Sequence, residues 1–282
     1  MSDFRAAVLG KPIEHSLSPV LHNAGYTALG LSNWQYDRIE CDESDLAQVL
    51  SNSSNQYRGF SVTMPGKFQA LALADEATER ARLIGSANTL VRRNETSWVA
   101  DNTDCDGIIG AINVLFNRDD ANKKRFSASE YAVIIGAGGT ARPAVWAVAQ
   151  LGVKRVIIVN RSDRSLEFDS LAQFLGVNLE FRGFDTALAE ICAKAAVIIS
   201  TVPSVGIPDY VPIIAQAPII DVIYDPWPTL LVETAHRNGI SAVGGHVMLA
   251  HQAYGQFEQF TGYAAPRDAM WLALCRALGI SV

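Results

Sequence analysis

The sequence predicts an α/β protein in two parts, the second of them a doubly wound parallel sheet. Three observations carry this. The chain has 282 residues, about twice the ~150-residue scale of a single domain. Short apolar runs alternate with amphipathic segments through most of its length, the pattern of strands and helices layered on one another. In the second half the runs are apolar almost without interruption, as buried strands of a parallel sheet must be.

The elements follow in order. Residues 4–9 read as a strand. Ser18-Pro19 then opens a helix, with Ser at the N-cap, Pro at the first helical position and Gly30 closing it. Residues 34–40 read as a strand, 44–51 as a helix and 59–64 as a strand ended by Pro65, with a helix following through residue 74. Segments 89–93 and 98–102 form a hairpin around Asn94. Residues 104–116 are helical, with Ile108, Ile109, Ile112 and Leu115 on one face. The polar stretch 117–129 reads as a surface linker. Beyond it, 131–136, 155–160, 179–184, 195–203 and 219–224 are apolar strands, most of them separated by helices.

Composition narrows the function. Lys and Arg number 23 against 29 Asp and Glu, a net charge of −6, which disfavours a nucleic-acid binder. Hydrophobic residues make up 49% of the chain and charged residues 18%, so a sizeable core can form. No apolar run reaches the ~18 residues of a spanning helix. The N-terminal residues lack a basic stretch followed by an apolar core, so a cytoplasmic protein is expected. Cys41, Cys105, Cys192 and Cys275 are scattered without paired spacing, which speaks against structural zinc and against a disulfide framework. No metal is expected.

Four motifs carry chemistry. Gly136-Ala137-Gly138-Gly139-Thr140-Ala141 follows an apolar strand and opens a helix. This is the setting in which glycines let backbone N–H groups approach a pyrophosphate at a helix N-terminus; a tight turn without ligand is the plainer reading. At the end of the next strand, where an NAD site places a carboxylate on the ribose diol, stand Asn160, Arg161 and Ser162, with Arg164 close behind. Such donors suit a 2′-phosphate, and NADP is favoured.

The third motif is the segment from Gly10 to Asn23, KPIEHSLSPVLHN after the glycine. Its Ser16 and Ser18 precede a helix whose free N–H groups can meet an anion. Ser18 as a simple N-cap, with His15 and His22 as polar surface, is the other reading. The fourth comprises Ser61-Val62-Thr63-Met64-Pro65-Gly66-Lys67, Ser86-Ala87-Asn88-Thr89-Leu90 and Asp101-Asn102-Thr103-Asp104. Lys67 sits at a helix start, where the dipole disfavours a cation. Asp104 reads locally as an N-cap.

Together with the late segments DVIYDPWPT and MLAHQ, these motifs in this order resemble the shikimate dehydrogenase family over nearly the whole chain. The resemblance implies a substrate domain of residues 1–104 completed by C-terminal helices 246–282. It also implies an NADP-binding Rossmann domain of residues 105–245, with the active site in the cleft. Reversible hydride transfer between NADPH and 3-dehydroshikimate would serve aromatic amino-acid and chorismate biosynthesis. Lys67 and Asp104 match the catalytic pair, and Ser16, Ser18 and Thr63 the carboxylate site. Asn88 and Gln252 match residues bonding the ring hydroxyls, and Tyr224 a further substrate contact. Gly136, Ala137, Gly138, Gly139 and Thr140 match the pyrophosphate loop. Asn160, Arg161, Ser162 and Arg164 match the 2′-phosphate site, and Val222 and Gly245 the nicotinamide end.

Ser61 replaces a common Asn, Gly66 a larger residue, and Gly245-His246-Val247-Met248 a frequent Gly-Leu-Gly-Met. An NAD-using quinate/shikimate dehydrogenase is the nearest alternative, and a dinucleotide-binding sensor without catalysis the other. The expected partner is a small-molecule substrate, with no nucleic acid and no membrane, in a monomer or homodimer.

Overall fold

A computed structural model describes residues 3–117, 126–185 and 187–280. Most of the expected 117–129 linker, residues 118–125, lies outside the described residues. The chain divides into two compact units, Met1–Thr103 with Gln252–Val282, and Asp104–His251.

In the first unit, β1 (Phe4–Gly10) lies between β2 (Trp34–Glu40) and β3 (Tyr57–Val62), both parallel to it. The antiparallel hairpin of β5 (Thr89–Arg92) and β6 (Trp98–Asp101) extends the sheet from β3, and the two-residue β4 (Glu76–Ala77) closes the edge. Asn94 makes the hairpin turn, its side-chain carbonyl accepting from the N–H groups of Thr96 and Ser97. Leu9, Phe60, Leu90 and Trp98 fill one face of the sheet together with Leu46 from α2 (Leu46–Asn52) and Ala70 from α3 (Lys67–Leu73).

Helix α1 (Ser18–Ala28) turns Leu21, His22, Gly25 and Tyr26 inward. It packs against α12 (Arg267–Leu278). The N-cap is Leu17 rather than Ser18, which is already helical. The hydroxyl of Ser16 accepts from the Ser18 N–H at 3.4 Å, so the capping oxygen comes from two residues further back. His22 is not surface but wholly buried. Spaced four residues beyond Ser18, it shares the helix's inner face.

Helix α4 (Glu79–Ile84) escapes the periodicity reading because it is so short. It carries clear end signals nonetheless, with Thr78 accepting from Ala81 N–H at the start and Gly85 left-handed at the end.

The second unit is a parallel sheet ordered β12 (Ala242–Gly244), β11 (Ile219–Asp221), β10 (Val197–Ser200), β7 (Tyr131–Ile135), β8 (Arg155–Val159), β9 (Asn178–Arg182). Its helices are α5 (Asp104–Leu115), α6 (Ala141–Gln150), α7 (Asp169–Leu175), α8 (Leu188–Ala193), α9 (Val211–Ile214) and α10 (Leu230–Arg237). Strands β10 and β11 are shorter than the apolar runs that contain them, and β12 is too short to stand out in sequence. Strand order reverses between β7 and β10, and in open α/β sheets ligands bind at that crevice. Helix α11 (Gly245–Thr261) belongs to this unit up to His251 and to the first unit from Gln252.

Among the described residues no group of His, Cys, Asp and Glu is arranged to hold a metal. No described helix is long and apolar enough to cross a membrane. All four cysteines are buried, and none of them is in a disulfide.

Candidate active site

In the first unit the C-terminal ends of β1 and β3 are tied into one corner. Strand β3 stops at Val62 because residues 63–66 form a turn, the Gly66 N–H donating to the Thr63 carbonyl at 3.0 Å. Thr63 itself donates its N–H to Leu9 at 2.9 Å, and Lys11 donates to Met64 at 3.1 Å. The turn delivers Lys67 as the first residue of α3, half-buried. The Lys67 carbonyl accepts from the Ala87 N–H at 2.9 Å, so the lysine is fixed beside the loop that carries Asn88.

Asn88 is buried and saturated. Its side-chain carbonyl accepts from the Thr103 N–H at 2.8 Å and the Thr89 hydroxyl at 2.7 Å. Its amide group therefore points the other way, donating to the Thr103 hydroxyl at 3.0 Å and to Gln252 Oε1 at 3.3 Å. With its acceptor occupied, Asn88 can meet a ligand only through its amino group, by exchanging the bond it gives to the Thr103 hydroxyl or to Gln252. Asn102 donates to the Ser86 carbonyl at 3.0 Å, and Asp101 takes both ends of the Arg80 fork at 2.7 and 2.6 Å. The SANTL and DNTD segments are thus welded side by side.

The serine segment joins this corner through Tyr36. The Tyr36 hydroxyl donates to Ser61 Oγ at 2.5 Å. Burial pushes the phenol pKa well up, against the opposing pull of its hydrogen bonds with the Ser61 and Ser18 side chains. Ser18 is buried while Ser16 is half-buried, and the exposed Arg38 guanidinium holds the Ser16 carbonyl at 2.6 and 3.0 Å. Two hydroxyls, a helix start and a nearby guanidinium make surroundings suited to a carboxylate.

In the second unit the glycine-rich loop leaves β7 at the strand-order reversal. Gly136 has φ +99°, and a Cβ there would stand 2.6 Å from Thr201 Oγ1, so only glycine makes the turn. Gly138 and Gly139 differ, since a Cβ on either would meet nothing within 4 Å. No packing demands glycine at these two positions, and their open space is what a phosphate group pressed onto the loop would fill. Thr140 begins α6 without using its hydroxyl as a cap.

Beside the loop lies a cavity of about 270 Å³ walled by Phe184, Val202 and Ile207, with Gly136, Asn160 and Arg161 lining its polar side. Asn160 donates to the Ser162 carbonyl at 2.9 Å, and Arg161 and Ser162 are exposed. Arg164 is engaged within the protein. Its guanidinium holds Glu167 at 2.6 and 2.7 Å and the Ala137 carbonyl of the glycine loop at 2.9 Å. Arg142 reaches the same Glu167 at 3.1 Å.

After β11, Val222 and Tyr224 lie in a loop, so Tyr224 falls beyond the strand rather than at its end. Gly245 opens α11 so close to the Val222 carbonyl that a Cβ would collide with it. His246 is buried edge-on against Trp227, centroids 4.5 Å apart, which accommodates the departure at 245–248. Burial pushes its imidazole down to about 4. Asp221 is buried, accepting from the Thr229 hydroxyl at 2.7 Å and the Ile223 N–H at 3.2 Å. Burial raises its carboxyl to about 6.

Of the expected substrate and catalytic residues, Ser16, Ser18, Thr63, Lys67, Asn88 and Gln252 belong to the first unit. Asp104, buried at the first position of α5, and Tyr224 belong to the second, with every expected cofactor residue. Sequence reading missed Tyr36, Thr89 and Gln256. For Gln256 a signal existed: it follows Gln252 by four residues, hence lies on the same face of α11.

Family descriptions match along the chain. "Shikimate dehydrogenase substrate binding domain" matches residues 8–90, "Shikimate / quinate 5-dehydrogenase" residues 120–209, and "Shikimate 5'-dehydrogenase C-terminal domain" residues 245–275. The chain is 36% identical to the shikimate dehydrogenase (NADP(+)) of Cereibacter sphaeroides, covering 91% of each. It is also 30% identical to the pentafunctional AROM polypeptide of Saccharomyces cerevisiae, spanning 95% of this chain but only 17% of that polypeptide. Among solved structures, Mycobacterium tuberculosis shikimate dehydrogenase superposes with a TM-score of 0.87 at 45% identity, covering 97% of this chain and 99% of that one. The Thermus thermophilus shikimate 5-dehydrogenase in complex with NADP(H) and shikimate gives 0.81 at 26%, covering 98% and 100%.

Proposed function

The chain belongs to the shikimate dehydrogenase family, and from that premise we propose that it is an NADP-dependent shikimate dehydrogenase. It interconverts 3-dehydroshikimate and shikimate in the biosynthesis of chorismate and the aromatic amino acids. The observation that carries this reading is the Ala87–Lys67 backbone bond. It brings the Lys67 backbone beside the segment that carries Asn88, so a lysine and an amide donor share one corner of the first unit.

A nicotinamide supplies or accepts the hydride when bound. The chain's own residues do the rest. Lys67 gives a proton to the C3 carbonyl oxygen, or takes it back in the reverse direction, and Asp104 accepts from the same hydroxyl and orients it. Asn88 and Gln252 donate to ring hydroxyls, Ser16, Ser18 and Thr63 hold the carboxylate, and Tyr224 contacts the ring. The loop from Gly136 to Thr140 would hold the pyrophosphate, and Val222 and Gly245 would border the nicotinamide. The cofactor reading is supported by the open space over Gly138 and Gly139 and by the absence of a carboxylate at Asn160, Arg161 and Ser162. Asn160, Arg161 and Ser162 would hold a 2′-phosphate there, with Arg164 beside them joined to Glu167 and the Ala137 carbonyl of the loop.

The test is an activity matrix of shikimate and quinate against NADP and NAD. Shikimate with NADP should exceed every other pair. Quinate with NAD as the best pair would overturn the proposal.

A further inference from the structure

The second half of α11 presents three glutamines, Gln252, Gln256 and Gln259, at spacings that place them on one helix face. Gln252 accepts from the Asn88 amide, and Gln259 donates to Asp101 at 2.8 Å. Gln256 lies between them, buried, with both ends of its amide used. Its Nε2 donates to the Asn88 backbone carbonyl at 2.9 Å and to the Thr89 hydroxyl at 3.0 Å. Its Oε1 accepts from the Ser61 hydroxyl at 2.7 Å, and Ser61 in turn accepts from Tyr36.

The polarity of this chain is determined link by link. A backbone carbonyl can only accept, so the amino end of Gln256 must face Asn88. Because Thr89 Oγ1 already accepts from Gln256, its own proton is free to go to Asn88 Oδ1. That bond, with the one from the Thr103 N–H, fixes the Asn88 amide with its amino group outward. At the other end, Ser61 must donate to Gln256 Oε1 and therefore accept from Tyr36.

We propose that Gln256, its polarity fixed by the Asn88 carbonyl and its oxygen satisfied by the Ser61 hydroxyl, is the positioning residue that orients Asn88 as a donor toward the substrate's ring hydroxyls. This rests on the shikimate reading of the site. Gln256 would act through Asn88, which it reaches directly and by way of Thr89.

The test is a double-mutant cycle on kcat/KM for shikimate, with KM for NADP and the melting temperature measured alongside. Gln256→Leu and Ser61→Ala are each made in the wild type and in Asn88→Ala. Loss of one or two oriented hydrogen bonds corresponds to a roughly 3- to 30-fold fall in kcat/KM, with KM for NADP unchanged. In the Asn88→Ala background the same substitutions should change kcat/KM less than about twofold, although the melting temperature still falls. If Gln256→Leu does not fold, Ser61→Ala carries the cycle, because it keeps Gln256 and its bonds to Asn88 and Thr89. Equal fold-losses in both backgrounds would overturn the proposal, as would unchanged kcat/KM in folded variants. Failure of the wild type to oxidise shikimate would instead overturn the functional reading beneath it.

Discussion

The imidazole of His22 lies flat on the ring of Tyr36, centroids 4.1 Å apart and planes 13° from parallel. Phe257 and Phe260 from α11 complete the surround, with centroids 6.1 and 5.8 Å away. Such a site favours the neutral ring, and burial pushes the imidazole from 6.5 down to about 3.

Linkage sets the sign of the consequence. Between pH 6.5 and about 3 the unfolded chain binds a proton at His22 that the folded chain refuses. Stability therefore falls as pH drops through that window, by about 1.4 kcal/mol per pH unit. His22→Phe keeps the stacked ring and removes the proton site. Urea unfolding from pH 7 to pH 4 should show a shallower loss in the variant than in the wild type. Parallel stability curves would contradict the assignment.

Asp221 acts in the opposite direction. Its carboxyl is raised from 3.8 to about 6, so between those values the folded state holds the extra proton. Stability then falls as pH rises through the window, by roughly 2–3 kcal/mol in total. Asp221→Asn should gain on the wild type by about that amount between pH 4 and pH 7, read from the same unfolding series. A difference that stays constant with pH would refute it.

Lys67 should behave as a proton carrier rather than a binding group. Positioned proton transfer contributes ~10²–10⁴ in rate, so Lys67→Ala should lower kcat by that factor with a much smaller change in KM. Steady-state kinetics with shikimate decides it, and a kcat within a few-fold of wild type would remove Lys67 from the role.

Arg161 should discriminate between cofactors. It is exposed at the polar side of the cavity beside the glycine loop, and one charge-assisted contact contributes about 1.5–3 kcal/mol, or roughly 10- to 150-fold in affinity. Arg161→Ala should weaken binding of 2′,5′-ADP by about one to two decades and leave that of 5′-AMP nearly unchanged, by titration calorimetry. Equal weakening of both would place the phosphate elsewhere.

Much of the fold is legible in the residues themselves. Strand β2 covers the same residues in sequence and in space, and β1 agrees to within one residue. β1 is a largely apolar run ended by Gly10, and β2 largely alternates apolar with polar residues around the buried Tyr36. The glycine loop is legible because strand, loop and helix are contiguous. Other features escape a local reading. Ser18 looks like an N-cap because it precedes Pro19, yet the capping oxygen belongs to Ser16, a shift of two residues that local composition does not resolve. The polarity of His22 suggests surface, whereas its place on the inner face of α1 decides its burial. The Tyr36–Ser61–Gln256–Asn88 chain joins residues up to 195 positions apart. Only the folded backbone brings those together.

A hydride should leave C3 of shikimate while Lys67 takes the hydroxyl proton. The most direct measurement uses shikimate deuterated at C3, incubated with the protein and NADP, with the cofactor recovered and weighed by mass spectrometry. The predicted result is reduced cofactor carrying the deuterium, formed far more slowly by Lys67→Ala. Reduced cofactor without the label, or none formed by the wild type, would contradict it.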